Sequence, residues 1–182
     1  MEVGYYFNNS VLLLKPEKYI DDRGFFSETY NLKELQKLGV EVKFVQDNFS
    51  FSRSKNVFRG LHFQSAPHAQ AKLIRVLSGS ILDIVVDLRK ESASYLSHKM
   101  FNLSKRNFKQ LYIPRGFAHG FLTLSSNTEV FYKTSDFYYP DLEITLSCED
   151  ESLNIKLPIK TTDLIISKKD RNPVPIDQLI GT

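Results

Sequence analysis

Four histidines occur in the 182 residues, His62, His68, His98 and His119, and imidazole is the side chain most often used for proton transfer near neutral pH. His62 stands in Arg59-Gly60-Leu61-His62-Phe63-Gln64, with Lys72 shortly after. On an extended strand Gly60, His62 and Gln64 share one face, which sets an imidazole beside an amide with bare glycine backbone between them. Strict alternation turns Arg59 to the other face. His119 stands in Pro114-Arg115-Gly116-Phe117-Ala118-His119-Gly120-Phe121, where a Pro-x-Gly turn feeds a strand and could present the imidazole at a barrel mouth. A third segment, Asp21-Asp22-Arg23-Gly24-Phe25-Phe26-Ser27-Glu28, sets a guanidinium close to two aromatics, a combination suited to a phosphate and a base. Each has a plain structural alternative: a satisfied core histidine, a surface residue at a strand start, a solvated turn. Zinc or non-haem iron needs three or four His, Cys or carboxylate ligands, usually with two on one short stretch. Position 64 is Gln and His119 is the one plausible second imidazole, so the pattern argues against a metal.

The elements that must position these residues are mostly strands. One helix is predicted: Asn31 caps it, Glu34 follows as in a capping box, Leu32, Leu35 and Leu38 share a side, and Gly39 stops it. Leu82, Ile84, Val86 and Leu88 alternate with Asp83, Asp87 and Arg89, and Ser78-Gly79-Ser80 joins this stretch to Lys72–Leu77, which predicts a β-hairpin. Further strands are expected at 11–14, 25–30, 42–46, 57–64, 98–103, 110–113, 120–124 and 129–135. Many short strands with one small helix favour an all-β sandwich or barrel. The length and the lack of a linker predict a single domain over 1–182. A formal net charge of +3 is too small to suggest nucleic acid, and the run Val11–Leu14 is too short for a signal peptide or membrane span. The single cysteine, Cys148, fits a reducing compartment, so a cytoplasmic protein is expected.

Taken in order, several motifs resemble one family. They are Asp22-Arg23-Gly24-Phe25-Phe26-x-Glu28, Gln46-Asp47-Asn48, Arg59-Gly60-Leu61-His62-Phe63-Gln64, Lys72-Leu73, Val86-Asp87-Leu88-Arg89, Ile113-Pro114-x-Gly116-Phe117-Ala118-His119-Gly120-Phe121, Tyr132-Lys133 and Ser167-x-Lys169-Asp170. From about Val11 to about Asp170 the chain resembles the dTDP-4-dehydrorhamnose 3,5-epimerases. The resemblance implies a cupin-type jelly roll with short peripheral helices, a homodimer, a nucleotide-sugar substrate, and no metal or organic cofactor. Pro114-x-Gly116-x-x-His119 looks like the second metal-binding cupin motif, whereas the His-x-His of the first is absent. Carried over residue by residue, the resemblance makes His62 the general base, Asp170 its orienting carboxylate and Tyr132 the proton donor on the other face of the sugar. It places Lys72 and His119 around the reacting sugar. It places Arg23, Glu28, Gln46, Asp47, Asn48, Arg59, Tyr138, Glu143 and Lys169 around the nucleotide sugar, with Tyr19 a candidate for stacking on the base.

The chemistry suits these roles. A ketone at C4 of a hexose acidifies the hydrogens at C3 and C5, so either centre inverts through an enolate when a proton leaves one face and returns on the other. That requires a base, an acid and a positive group at the enolate oxygen. Departures occur near the end, where Glu149-Asp150-Glu151 and Ile155-Lys156-Leu157-Pro158 replace the family's usual Asn/Asp-Asp-Pro and Ile-x-Trp-Pro, and the chain has no tryptophan. Two rivals follow: a single-centre epimerase of another nucleotide-linked 4-keto-6-deoxyhexose, and a non-catalytic jelly-roll sugar-binding module. The second has no use for a matched acid and base.

Overall fold

The computed structural model describes residues 1–180. Its strands are β1 (Glu2–Tyr6), β2 (Val11–Lys15), β3 (Tyr19–Asp21), β4 (Gly24–Phe26), β5 (Gln46–Ser52), β6 (Phe58–Gln64), β7 (Lys72–Ser78), β8 (Ser80–Asp87), β9 (His98–Ser104), β10 (Gln110–Ile113), β11 (Phe117–Thr123), β12 (Thr128–Thr134) and β13 (Glu143–Thr145). Helix α1 (Leu32–Lys37) lies between β4 and β5, and α2 (Ile176–Ile180) closes the described chain. One sheet runs β1-β2-β10-β7-β12-β5, a second runs β13-β6-β11-β8-β9, and β3–β4 is a separate hairpin. From β5 onward the chain changes sheet at almost every connection, which is the jelly-roll arrangement of an all-β protein. No described helix is long and apolar enough to cross a membrane.

That crossing corrects the predicted hairpin. β7 pairs with β10 and β12, while β8 pairs with β9 and β11. The Ser78-Gly79-Ser80 turn, with Gly79 at φ +78, carries the chain from one sheet to the other. A turn signal reports a reversal of direction and leaves open whether the flanking strands pair edge to edge or face to face.

The inner faces meet in a core of Ile74, Val76, Ile81, Val85, Leu111, Phe117, Phe121 and Val130. The outer face of the five-stranded sheet, carrying Phe58, Leu61, Ile84, Ala118 and Leu122, is covered by Leu146, Leu153, Leu164 and Ile176 from the C-terminal segment. β11 is consequently buried at every position. A third cluster sits on the outer face of the six-stranded sheet, where Leu12, Leu14, Leu73 and Tyr112 pack under Leu35 of α1. At the N-terminus of α1 the Asn31 side chain accepts from the Lys33 and Glu34 amides at 2.9 and 3.4 Å, and Gly39 at φ +81 follows its end. Glu34, placed for a capping box, pairs with Lys37 at 2.7 Å.

The expected strand at 42–46 is irregular, and the strand begins where that expectation ended, at Gln46. In β5 the aromatics Phe49 and Phe51 point outward and are exposed, so its apolar pattern is the reverse of an ordinary half-buried strand. The strand expected at 25–30 stops at Phe26.

Candidate active site

Between the sheets lies a cavity of about 490 Å³ whose lining includes Arg59, His62, Lys72, His119, Tyr132, Glu143 and Asp170. His62 and His119 project from the five-stranded sheet, where they are direct partners across β6 and β11. Lys72 and Tyr132 come from β7 and β12 of the facing sheet.

A bulge in β6 corrects the expectation for Arg59. His119 pairs with His62 and Phe121 with Arg59, so a two-residue step on β11 faces a three-residue step on β6. The extra residue reverses the parity and brings Arg59 to the same cavity as His62. Glycine is required at this point. Gly60 has φ +122, a Cβ there would lie 2.6 Å from Gly120 Cα, and a Cβ on Gly120 would lie 2.7 Å from the Arg59 carbonyl oxygen. Gln64, expected beside His62, instead donates to the carbonyls of His68 at 2.5 Å and Phe137 at 2.9 Å, and accepts from the Tyr139 amide. Its role is to tie loops together. His68 stacks on Tyr139 with 3.9 Å between ring centres.

The His62 imidazole Nε2 lies 2.6 Å from Asp170 Oδ1. Burial opposes ionisation of Asp170, but hydrogen bonds from His62 and from the Gly60 amide, with the attraction of His62, outweigh it and hold the carboxyl below the usual range. An ionised Asp170 only accepts, so Nε2 carries the hydrogen and the Nδ1 lone pair is left to accept a proton. His119 Nε2 lies 2.9 Å from Asp83 Oδ2, and Asp83 is fully buried with its other oxygen unpaired among the described residues. Burial pulls the His119 imidazole below its ordinary value in spite of Asp83, which keeps it uncharged at neutral pH.

Lys72 reaches to 3.5 Å from the His62 carbonyl oxygen. Burial pulls its ammonium down to about 8, with Glu143 and Asp83 acting in the opposite direction. Burial, together with Glu143, pushes the Tyr132 phenol up, so it keeps its proton at neutral pH. Tyr138 donates to Glu143 at 2.5 Å, and Lys169 pairs with the same carboxylate. The Arg59 guanidinium donates to Ser52 Oγ at 3.3 Å and the Phe51 carbonyl at 3.1 Å, which fixes its plane and leaves its other N–H donors without a partner among the described residues. The cavity therefore combines a histidine–carboxylate pair, a protonated phenol, an ammonium and a guanidinium.

Other expected residues lie outside the cavity lining. Gln46 and Asn48 bond each other at 2.9 Å and share a strand face with Ser50, which does line the cavity. Asp47, one residue out of phase, faces the other way and pairs with Lys133 at 2.7 Å. Arg23 projects from the β3–β4 hairpin, strongly exposed and paired with Asp21 at 2.5 Å. Glu28 accepts from Asn31 at 2.8 Å, and Tyr19 lies across the same hairpin from Phe26. Sequence reasoning missed Asp83. Its signal was the strand face it shares with Ile81 and Val85, which belongs to the core rather than to solvent.

The family model for dTDP-4-dehydrorhamnose 3,5-epimerase matches residues 9–178. The Escherichia coli K12 dTDP-4-dehydrorhamnose 3,5-epimerase is 46% identical over 93% of this chain and 91% of its own length. The crystal structure of the Bacillus anthracis enzyme with TDP and pyrophosphate bound superposes with a TM-score of 0.91 at 44% identity, covering 96% of this chain and 98% of that one. The Legionella pneumophila enzyme in complex with dTDP-4-keto-L-rhamnose gives 0.90 at 36% identity, covering 97% and 93%. With the family model and these relatives matching nearly the whole chain, it belongs to the dTDP-4-dehydrorhamnose 3,5-epimerase family.

Proposed function

We propose that the protein inverts C3 and C5 of dTDP-4-dehydro-6-deoxy-D-glucose and releases dTDP-4-dehydro-L-rhamnose. The observation that carries this reading is the meeting, in one cavity, of His62 with Asp170 on one wall and Tyr132 with Lys72 on the other. His62 Nδ1 takes the proton from carbon, and Asp170 fixes the tautomer and steadies the imidazolium that forms. The electrons move onto the C4 oxygen, where the Lys72 ammonium stabilises the enolate. Tyr132 delivers a proton to the opposite face of the carbon. The neutral His119 donates its Nε2 hydrogen to Asp83 and is held as a wall of the sugar pocket. Arg59 and Lys169 receive the diphosphate, Arg59 through paired N–H donors. The Bacillus anthracis relative with TDP bound and the Legionella pneumophila relative with dTDP-4-keto-L-rhamnose support this substrate class.

The protein acts as a homodimer in this reading. Arg23, Tyr19 and Phe26 stand exposed on the β3–β4 hairpin, and Phe49 and Phe51 are exposed on β5. A second copy that covers these aromatics brings Arg23 and Glu28 to the partner's nucleotide-sugar pocket. Incubation with the substrate in D₂O, followed by NMR, tests the activity. Deuterium is expected at both C3 and C5, and none with His62→Ala of unchanged fold. Exchange at one carbon would make the protein a single-centre epimerase, and no exchange would defeat catalysis on this substrate.

A further inference from the structure

Two loops that leave the walls of the catalytic cavity are tied to each other by side chains. Residues 65–71 join β6, which carries His62, to β7, which begins at Lys72. Residues 135–142 join β12 to β13 and carry Tyr138, which lines the cavity. The loops meet where the Ala71 amide donates to Ser135 Oγ at 2.8 Å and the Ser135 amide donates to the Ala71 carbonyl at 3.0 Å. Further out, glutamines hold them. Buried Gln64 donates to the carbonyls of both His68 and Phe137 and accepts from the Tyr139 amide, while Gln70 donates to the carbonyls of Asp136 at 2.9 Å and Phe137 at 3.0 Å.

These amides grip only the backbone of the second loop. The side chains on either side of Tyr138 are held by His68. Its Nδ1 lies 3.3 Å from Asp136 Oδ2, and its ring covers that of Tyr139 with 3.9 Å between centres and 20° between planes. The other Asp136 oxygen accepts from the Phe137 amide at 2.8 Å, so the carboxylate passes the hold of His68 to the backbone next to Tyr138. Tyr138 itself is 48% exposed. Its amide donates to Gln46 at 3.2 Å, and its hydroxyl donates to Glu143 and accepts from Lys169 at 3.3 Å. With so little packing of its own, the phenol keeps its place at the cavity rim only as firmly as the loop beneath it is held.

We propose that His68 is a positioning residue for the epimerisation: clasped to Asp136 and Tyr139, it holds Tyr138 at the cavity rim, where Tyr138, Glu143 and Lys169 grip the nucleotide sugar. The inference rests on the substrate reading given above for this cavity. His68 does not touch the reacting carbons, so its effect falls on substrate binding and leaves the proton transfers alone.

His68→Ala is expected to raise KM about three- to tenfold with kcat changed by less than about twofold. His68→Phe keeps a flat ring on Tyr139 and should recover most of the loss. In a Tyr138→Ala background, where the held side chain is gone, His68→Ala should raise KM no further. Hydrogen-exchange mass spectrometry of the full chain without substrate should show faster exchange over 136–142 in His68→Ala, reversed in His68→Phe, with the buried strand β11 unchanged. The proposal is overturned if His68→Ala leaves KM unchanged, if it lowers kcat alone, or if its effect persists in full beside Tyr138→Ala. Faster exchange spread across β11 would also overturn it, because the residue would then act on general stability. The exchange readout needs no substrate: absent turnover by the native protein would defeat the proposed reaction, whereas unchanged exchange over 136–142 would defeat the placement of Tyr138 by His68 whatever the substrate.

Discussion

Lys72→Met should make the protein more stable and nearly inactive at once. In the folded state burial lowers the Lys72 ammonium from its ordinary 10.5 to about 8. At about 1.4 kcal/mol per pH unit, holding that charge inside costs the fold roughly 3 kcal/mol at neutral pH. Methionine keeps the unbranched shape and removes the charge. Some of the gain is lost because Glu143 and Asp83 forfeit a nearby cation, although Glu143 retains Lys169. A net stabilisation of about 1–3 kcal/mol is therefore expected in urea unfolding near neutral pH. The sign of the pH dependence is fixed. Below about 8 both folded and unfolded chains carry the proton and the full penalty is present. As pH rises from about 8 to 10.5 the folded chain sheds it first, the penalty drains away, and the two curves converge. With no ammonium at the enolate oxygen, kcat should fall by about 10²–10³. In the native protein, kcat/KM should decline as pH passes about 8, because the free enzyme then loses the same proton. A variant less stable than the native chain at neutral pH, or a stability gap that stays constant up to pH 10.5, would refute the argument that burial sets the behaviour of Lys72. Unchanged kcat would remove Lys72 from the chemistry.

Other substitutions separate the remaining roles. Tyr132→Phe removes the proposed acid and leaves the proposed base, so solvent deuterium should still enter with retention at carbon while formation of the inverted sugar falls by about 10²-fold or more, read by NMR. Arg59→Ala should raise KM by about tenfold or more with a smaller change in kcat if, as proposed, its guanidinium receives the diphosphate and not the reacting carbons. Gly60→Ala meets Gly120 Cα at 2.6 Å in a backbone region closed to other residues. It should cost about 3 kcal/mol or more in thermal unfolding, and activity should be lost with it.

What the sequence disclosed and what it concealed follow from one physical distinction. Residue types that need a particular local geometry were legible: Asn31 capping α1, Gly39 ending it, and the turn before β11. The matching of His62, Lys72, Tyr132 and Asp170 to a family gave the list of site residues without their arrangement. Alternation alone failed wherever the partner surface decided the outcome. Asp83 looked like the solvent face of β8, yet that face is the interior, because the C-terminal segment occupies the other one. Asp47 and Asn48 are neighbours in a motif, but pleating sends them to opposite sides of β5. Arg59 could not be oriented without knowing that Gly60 and Gly120 bring β6 and β11 together around an extra residue.

The same distinction explains how a small all-β chain keeps ionisable groups between its sheets. The inner faces mix the two: Ile74, Val76, Ile81 and Val85 pack in the core, Lys72, His119 and Tyr132 line the cavity, and Asp83, buried between Ile81 and Val85 on β8, holds His119. Charges there cost stability, and the cost is offset on the outer face of the five-stranded sheet, where Leu61, Ile84, Ala118 and Leu122 are fully buried under the C-terminal segment. At roughly 1.5–3 kcal/mol for each large apolar side chain, that second cluster exceeds the roughly 3 kcal/mol penalty on Lys72. It also has a functional consequence. Asp170 belongs to the segment that follows Leu164 across this sheet, and it returns from there to meet His62. Loosening the outer cluster, for instance with Leu164→Ala, should therefore lower kcat through a displaced Asp170 before the jelly roll itself unfolds.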